Sequence, residues 1–340
     1  MHALSFARRP TVCTPARYSR QTLRALSRDT ALGSFAPLLP KDVIRTIESL
    51  DDPDDVYEVT MDVGRVPMLR LMHKERDIPV QTRPVTFGDL DMALKCTGAL
   101  DAHNRTGIDG TLHRVSAILN SKNEVVGLTC RVGRAMHGIA AQLSHLLKSH
   151  ESFLLIGPPG SGKTSVLRDV ARLLSDECGK RVVVVDKSGE IGGHGDAAHE
   201  AIGTARRLQV APGQTQHQTM IEAVENHTPH VILVDEIGTY QEAKACQTIA
   251  ERGVRLVATA HGMTFENIVK NPTLNPLVGG IVSVTLGDAA AKARGTPKTV
   301  SERANAPTFT KLVEITGKNT FDIKDTESVV DSYLARRRVK

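Results

Sequence analysis

Residues 152–164 read SFLLIGPPGSGKT, and they fix the class of fold. The first six residues are a short apolar run of strand length. GPPGSGKT at 157–164 then matches the pattern G-x-x-x-x-G-K-[ST] in full. The following KTSVLRDVARLLS (163–175) sets Val166, Leu167, Val170, Leu173 and Leu174 on one helical face. An apolar strand, a glycine-rich turn and an amphipathic helix, in that order, predict a phosphate-binding loop. Gly157, Gly160 and Gly162 permit backbone shapes barred to other residues and let the chain approach phosphate closely. The inward N–H groups of the loop, Pro158, Pro159 and Ser161 included in its span, would face a β-phosphate at the positive end of the helix. Lys163 would reach the β- and γ-oxygens, and Thr164 would offer its hydroxyl to Mg²⁺. The pattern therefore implies ATP or another nucleoside triphosphate, with Mg²⁺.

Working outward, strand and helix patterns alternate. RVVVVD (181–186), HVILVDE (230–236) and VRLVATA (254–260) read as buried strands, separated by helices near 217–227 and 240–252. Such alternation predicts an α/β unit with a mostly parallel sheet covered on both faces. Ligands of such sheets bind at the carboxyl ends of the strands. Asp235 and Glu236 end one strand there: Asp235 as a metal ligand, Glu236 as the residue that orients and deprotonates an attacking water. Asp186 and Glu190 follow another strand, as a second carboxylate source or as exposed acids at a turn. Thr259 and His261 end a third and are candidates to touch a γ-phosphate. Glu242 reads as a favourable acid in a helical first turn. A helix is expected over 138–150, and edge strands over 279–286 and 308–316.

Upstream, residues 41–135 read as a small mixed α+β domain. It has a helix at 41–50, strands at 56–63 and 66–72, a helix opening near Thr86, and a hairpin over 111–132. The pattern changes near residue 136, which gives expected bounds of 41–135, 136–316 and a C-terminal tail at 317–340. Residues 1–40 hold six arginines and one acid, Asp29, with abundant Ser, Thr and Ala. That composition is typical of an organellar transit peptide, for a plastid or alternatively a mitochondrion. The formal net charge of +5 resides in this segment, and the rest of the chain is balanced. The basic pI thus gives no argument for a nucleic-acid surface, and the 3% aromatic content leaves few stacking platforms. The five cysteines form no CxxC pair, and no apolar run reaches the ~20 residues of a membrane span.

Taken together, GPPGSGKT, VVVVDKSGEIGG, TARRLQV, VILVDEIGTYQEA and LVATAHG resemble the AAA-type ATPases related to stage III sporulation protein AA. Within that group the chain is most similar to the open-reading-frame ATPases of cyanobacteria and plastids. IDGTLHRVSAILNSKNEVVGLTCRVGRAMHG and NPTLNPLVGGIVSVTLGDAAAKAR extend the resemblance over roughly residues 41–316. It is more distantly similar to the secretion and pilus traffic ATPases. The resemblance implies a small N-terminal domain before a RecA-like P-loop core, ATP hydrolysis with Mg²⁺, and a homo-oligomer, a hexameric ring in the traffic ATPases. Glu190 matches the acidic box of those relatives and His261 their histidine box. Arg131 and Arg134 fall where relatives place nucleotide-contacting arginines, or lie on a solvated strand edge. Arg206 and Arg207 lie in a family-like stretch without a legible role. The Arg-x-x-x-His signature of a nucleic-acid-binding domain in some relatives is absent from 300–340. The traffic ATPases carry Gly-Glu where this chain has Asp235-Glu236, which leaves Glu236 and Glu190 as rival bases.

Other readings compete with an ATPase that moves or assembles a protein client. A nucleotide kinase would need an Arg-rich lid, and none is legible after residue 240. A nucleotide-gated scaffold with little turnover would bind ATP and release phosphate slowly.

Overall fold

The computed structural model describes residues 31–72, 77–260, 262, 264–287, 292, 299–317 and 320–338. The chain divides into two compact units. The first runs through Arg134 and also takes in Gly193–Ala197; the second comprises Ala135–Gly192 and Ala198–Lys340.

In the first unit, helices α1 (Ala31–Phe35) and α2 (Lys41–Glu48) precede strands β1 (Val56–Asp62), β2 (Met68–Leu71) and β3 (Ile78–Pro79). Helix α3 (Phe87–Leu94) leads to β4 (Arg105–Gly107), β5 (Arg114–Leu119) and β6 (Val125–Arg131). The strands form one antiparallel sheet in the order β3-β2-β1-β6-β5-β4. Its buried face packs Val59, Met61, Leu69 and Leu128 against Val43 and Ile47 of α2 and Leu90 of α3. Helix α3 starts at a capping box in which Thr86 and Asp89 satisfy each other's backbone N–H groups. Both Asp89 oxygens also accept from Arg83, each at 2.7 Å.

The second unit contains α4 (Ser144–Lys148), β7 (Phe153–Ile156), α5 (Lys163–Arg172), β8 (Val182–Asp186), β9 (Arg206–Gln209) and α6 (Gln216–His227). There follow β10 (Val231–Ile237), α7 (Tyr240–Glu251), β11 (Arg255–Ala260), α8 (Phe265–Lys270), β12 (Ile281–Thr285), β13 (Thr299–Arg303), β14 (Lys311–Gly317), β15 (Thr320–Asp325) and α9 (Thr326–Arg338). Seven strands form one sheet in the order β15-β14-β7-β11-β10-β8-β9. All neighbours are parallel except β14 and β15, which form an antiparallel hairpin. Period-two alternation explains why the central strands are apolar throughout. Leu154, Ile156, Val183, Val185, Ile232 and Val234 face one side, where α6, α7, α8 and α9 pack. Phe153, Leu155, Val182, Val184, Val231 and Leu233 face the other, covered by α4 and α5. Each such side chain contributes about 1.5–3 kcal/mol by burial, which outweighs any local propensity.

Several expectations need correction. Residues 31–40, assigned to the disordered address 1–40, fold: Leu32, Phe35, Leu38 and Leu39 are buried in the first unit's core. The remainder of that segment, 1–30, lies outside the described residues. Residues 138–150 form only a 3₁₀ turn, Ala141–Leu143, and the short α4. Strand β12 pairs with β13 in a separate two-stranded ribbon instead of extending the sheet. Strand β14 is not an edge, because β15 pairs along its outer side. The described part of the expected tail 317–340 is not a tail: Gly317 and Thr320–Asp325 complete the hairpin, and Thr326–Arg338 form α9, whose Val330 and Leu334 lie one turn apart in the core. The charged sequence ending Arg336-Arg337-Arg338 hides that two-residue anchor.

Candidate functional site

The phosphate loop follows β7 directly, because that buried strand runs out at Ile156. Gly157 has φ +154°, and a side chain there would press on the Ile315 carbonyl at 3.2 Å. Gly162, φ +87°, caps α5 in the left-handed region where other residues are strained. The four-residue stretch between them, Pro158–Ser161, therefore turns tightly and frees the first N–H groups of α5. Lys163 Nζ donates to the carbonyls of Gly157 at 2.8 Å and Pro158 at 3.0 Å. Burial lowers its pKa, while Asp235 and Glu236 raise it.

Asp235 and Glu236 sit at a β-bulge. The register between β10 and β11 slips after Val234, and pairing resumes at Ile237 opposite Ala260. The bulge holds Glu236 at φ +56°, an unfavourable region for a glutamate, and leaves its side chain exposed. Thr259, on the neighbouring β11, links the two acids. Its Oγ1 accepts from the Glu236 N–H at 2.8 Å and donates to Asp235 Oδ1 in a short bond. Thr164 Oγ1 donates to Asp235 Oδ2 at 2.9 Å, so loop and acid meet. Burial pushes the Asp235 carboxyl up to about 6, against the Thr259 and Thr164 hydroxyls, with the charges of Glu190 and Asp186 raising it further. The donors suit Mg²⁺: hard oxygens from one carboxylate and one hydroxyl, a partial shell that phosphates and water would complete.

Strand β8 ends in Asp186, which is buried and folds the next turn around itself. Its carboxylate accepts from the N–H groups of Glu190 (3.1 Å), Ile191 (3.2 Å) and Gly192 (2.8 Å). Asp186 is thus a structural anchor for the turn that carries Glu190. From the other side, buried Arg168 of α5 donates to the carbonyls of Ile191 at 2.9 Å and Glu190 at 2.5 Å. Arg168 ties the helix behind the phosphate loop to the acidic turn. Sequence reasoning missed it, because it reads as a surface charge on an amphipathic helix and its acceptors are backbone atoms. Gln216 was missed similarly: its Nε2 donates to the Asp235 carbonyl at 2.9 Å.

The structure thus brings Lys163, Thr164, Asp235, Glu236 and Thr259 together, with Glu190 and Asp186 near enough to act on Asp235. His261 lies outside the described residues. Glu242 closes a capping box on α7, accepting from the N–H groups of Gly238 and Thr239 at 2.9 Å each. Arg131 is bound to Glu58 at 2.6 Å and Arg134 to the carbonyls of Asp54 and Val56 at 2.7 Å, all within the first unit. Arg206 and Arg207 belong to β9, and Arg207 donates to the Gly192 carbonyl at 3.1 Å.

The chain is similar to several known proteins. Protein SEEDLING PLASTID DEVELOPMENT 1 of Arabidopsis thaliana is 48% identical over 318 residues, 93% of this chain and 46% of that protein. Uncharacterized protein ycf45 of Porphyra purpurea is 48% identical over 304 residues, 89% of this chain and 54% of that protein. The chain spans about half the length of these curated relatives. Among solved structures, that of the pilus retraction motor PilT with bound ADP superposes with a TM-score of 0.54 at 14% identity, covering 87% of each chain. That likeness establishes the fold: a RecA-like, ATPase-like α/β core preceded by a small domain built on an antiparallel sheet. No helix among the described residues is long and apolar enough to cross a membrane. The family described as "Sporulation stage III, protein AA" matches residues 99–285, more than half of the chain and all of the loop, acid pair and acidic turn, and the chain belongs to that family.

Proposed function

We propose that the chain binds ATP and Mg²⁺ at 157–164 and hydrolyses the ATP, using the turnover to move or assemble a protein partner in a plastid. The observation that carries this reading is the 2.9 Å bond between Thr164 and Asp235, which joins the phosphate loop to a part-buried acid on a separate strand. Thr164 and Asp235 would hold Mg²⁺, which would supply neutralisation of phosphate charge. The loop N–H groups bind the phosphates, and the Lys163 ammonium offsets their charge. Glu236 accepts the proton of the attacking water at its carboxylate. The Thr259 hydroxyl fixes the spacing of that base from Asp235. Arg168 and Asp186 hold the Glu190 turn in register with α5. His261 is proposed beside the γ-phosphate on the strength of the family resemblance. The plastid setting is supported by the name of the Arabidopsis thaliana relative, and a homo-oligomeric, hexameric ring by the resemblance to traffic ATPases.

Nucleotide binding and phosphate release by the purified chain test the reading. Lys163→Ala is expected to abolish ATP binding, and unchanged affinity would refute the loop assignment. Glu236→Gln should bind ATP and slow hydrolysis about 10²–10⁴-fold, the usual range for loss of a general base. If Glu190→Gln has that effect instead, Glu190 is the base. Tight binding without phosphate release by the unsubstituted chain, whatever the partner, points to a nucleotide-gated scaffold.

A further inference from the structure

One peptide group joins Asp235 to Glu236, and side chains grip it at both ends. The register of β10 gives these two residues no cross-strand partner among the described residues. Pairing with β8 ends at Val234, and pairing with β11 skips from Val234 to Ile237. Two side chains take the place of the ladder. Thr259 Oγ1 accepts from the Glu236 N–H at 2.8 Å, and Gln216 Nε2 donates to the Asp235 carbonyl at 2.9 Å. In a trans peptide the N–H and C=O point opposite ways, so the two grips come from opposite sides. A planar group held at both ends cannot tilt, and its tilt sets ψ of Asp235 and φ of Glu236 together.

The start of α6 does not need the Gln216 amide. Thr215 caps the helix, and Gln218 closes the capping box, its Oε1 accepting from the Thr215 N–H at 2.9 Å. That box fixes the backbone at the first helical position, where Gln216 stands. Glutamine is mostly a surface residue. Gln216 is nevertheless only 3% exposed. Its Nε2 is spent on the one carbonyl that precedes the proposed base.

We propose that Gln216 is a positioning residue for hydrolysis: by pinning the 235–236 peptide from the α6 side, it holds Glu236 at φ +56° and keeps the base carboxylate aimed at the attacking water. The proposal rests on the reading of Glu236 as the base and deepens it. Without the Gln216 amide the peptide hangs from Thr259 alone and can tilt towards negative φ, the region a glutamate prefers. The carboxylate then leaves its place. The Lys163 contacts and the Thr164–Asp235 bond do not involve that peptide and stay as they are. Loss of the amide is therefore a defect of the chemical step and not of nucleotide binding. A glutamine that merely anchors α6 to β10 would lower stability and leave the base in place.

Three measurements on the full chain test this with Gln216→Met, which keeps the length of the side chain and has no hydrogen to donate. In the nucleotide-free chain, hydrogen exchange at the Glu236 amide should quicken by about tenfold, the scale of one lost hydrogen bond, while the central amides of β11 keep their protection. With Mg²⁺ present, ATP should bind with an unchanged Kd, and kcat should fall by about ten- to a hundredfold, the scale of a group displaced by about 1 Å. In the Glu236→Gln chain, adding Gln216→Met should cost no further turnover, because the amide acts only through that carboxylate. If Gln216→Met loses a cooperative thermal transition, Gln216→Glu carries the same three measurements, since it keeps the shape and, ionised, sets an oxygen against the carbonyl. Unchanged exchange at Glu236 overturns the proposal. So does ATP binding that weakens in step with turnover, or a double variant whose losses add. If Glu236→Gln is slow and Gln216→Met is not, the proposal fails while the base reading stands. If Glu236→Gln itself keeps full turnover, the base reading fails and the proposal falls with it.

Discussion

Glu236 shows what the site costs the fold. Among the described residues, the non-glycine positions with positive φ are Asn104, Asn123, Thr228 and Glu236. Asparagine tolerates that region, whereas a glutamate there gives up about 1–2 kcal/mol. The neighbouring hydrogen bonds hold it: Thr259 takes its N–H, and Gln216 takes the carbonyl before it. Strain imposed by surrounding contacts at a bulge is typical of a position kept for its chemistry. Glu236→Gly should therefore stabilise the chain by about 0.5–1 kcal/mol, the relief of strain less the added freedom of the unfolded glycine. Urea unfolding with an unchanged slope would record this as a higher midpoint, and a lower midpoint would contradict the strain account. Lys163 and Thr164 are legible as candidates through the spacing of the loop pattern, and Asp235 through the apolar strand that ends in it and the presence of that loop. Arg168, Gln216 and the anchoring role of Asp186 stay hidden, because their partners are backbone atoms that no residue pattern encodes.

At the level of elements, helix ends explain several buried charges. Arg255 begins β11 and is buried, with no carboxylate among the described residues within hydrogen-bond reach. It donates instead to the carbonyls of Leu146 (2.7 Å), Leu147 (3.0 Å) and Glu151 (2.8 Å), which closes the end of α4. Cations suit that negative pole. Arg255→Met keeps much of the volume but strands those acceptors, and should lower stability by about 2–4 kcal/mol, read from denaturant unfolding. Asp89 works at the opposite pole, on α3. The Arg83 guanidinium, with help from Thr86, holds its carboxyl below the usual aspartate range. The stability it contributes is complete above roughly pH 4, the unfolded value, and is lost as pH falls towards the lower folded value. The thermal midpoint should thus drop more steeply below about pH 4 in the unsubstituted chain than in Asp89→Asn. The central strands were legible because uninterrupted β-branched runs admit little else. Strand β9 was not, since RRLQ has neither alternation nor a hydrophobic run, and parallel pairing beside β8 alone makes it a strand. The expected edge role of 279–286 failed because ribbon pairing with residues 299–303 cannot be read from either segment.

For the whole molecule, the largest difference from expectation lies at the C-terminal end of the described residues. Deleting 320–338 removes β15 and α9, opens the side of β14 to solvent and uncovers the core around Val330 and Leu334. Such a chain should aggregate and lose a cooperative thermal transition in calorimetry, whereas removal of a true tail would change neither. The expected boundary near 136 rests on a change of pattern, and the compact units divide after Arg134. The recruitment of 193–197 to the first unit is not legible in the sequence, since a short excursion leaves no compositional trace. Strand order also governs how such a chain can be made. Phe153 in β7 pairs with Val257 and with Lys311, so both neighbours of the first central strand come from far downstream. At about 5–20 residues per second, a ribosome takes on the order of ten seconds to deliver the last of them. For that interval the sequence FLLI waits unpaired, which makes the nascent chain a natural client for chaperones.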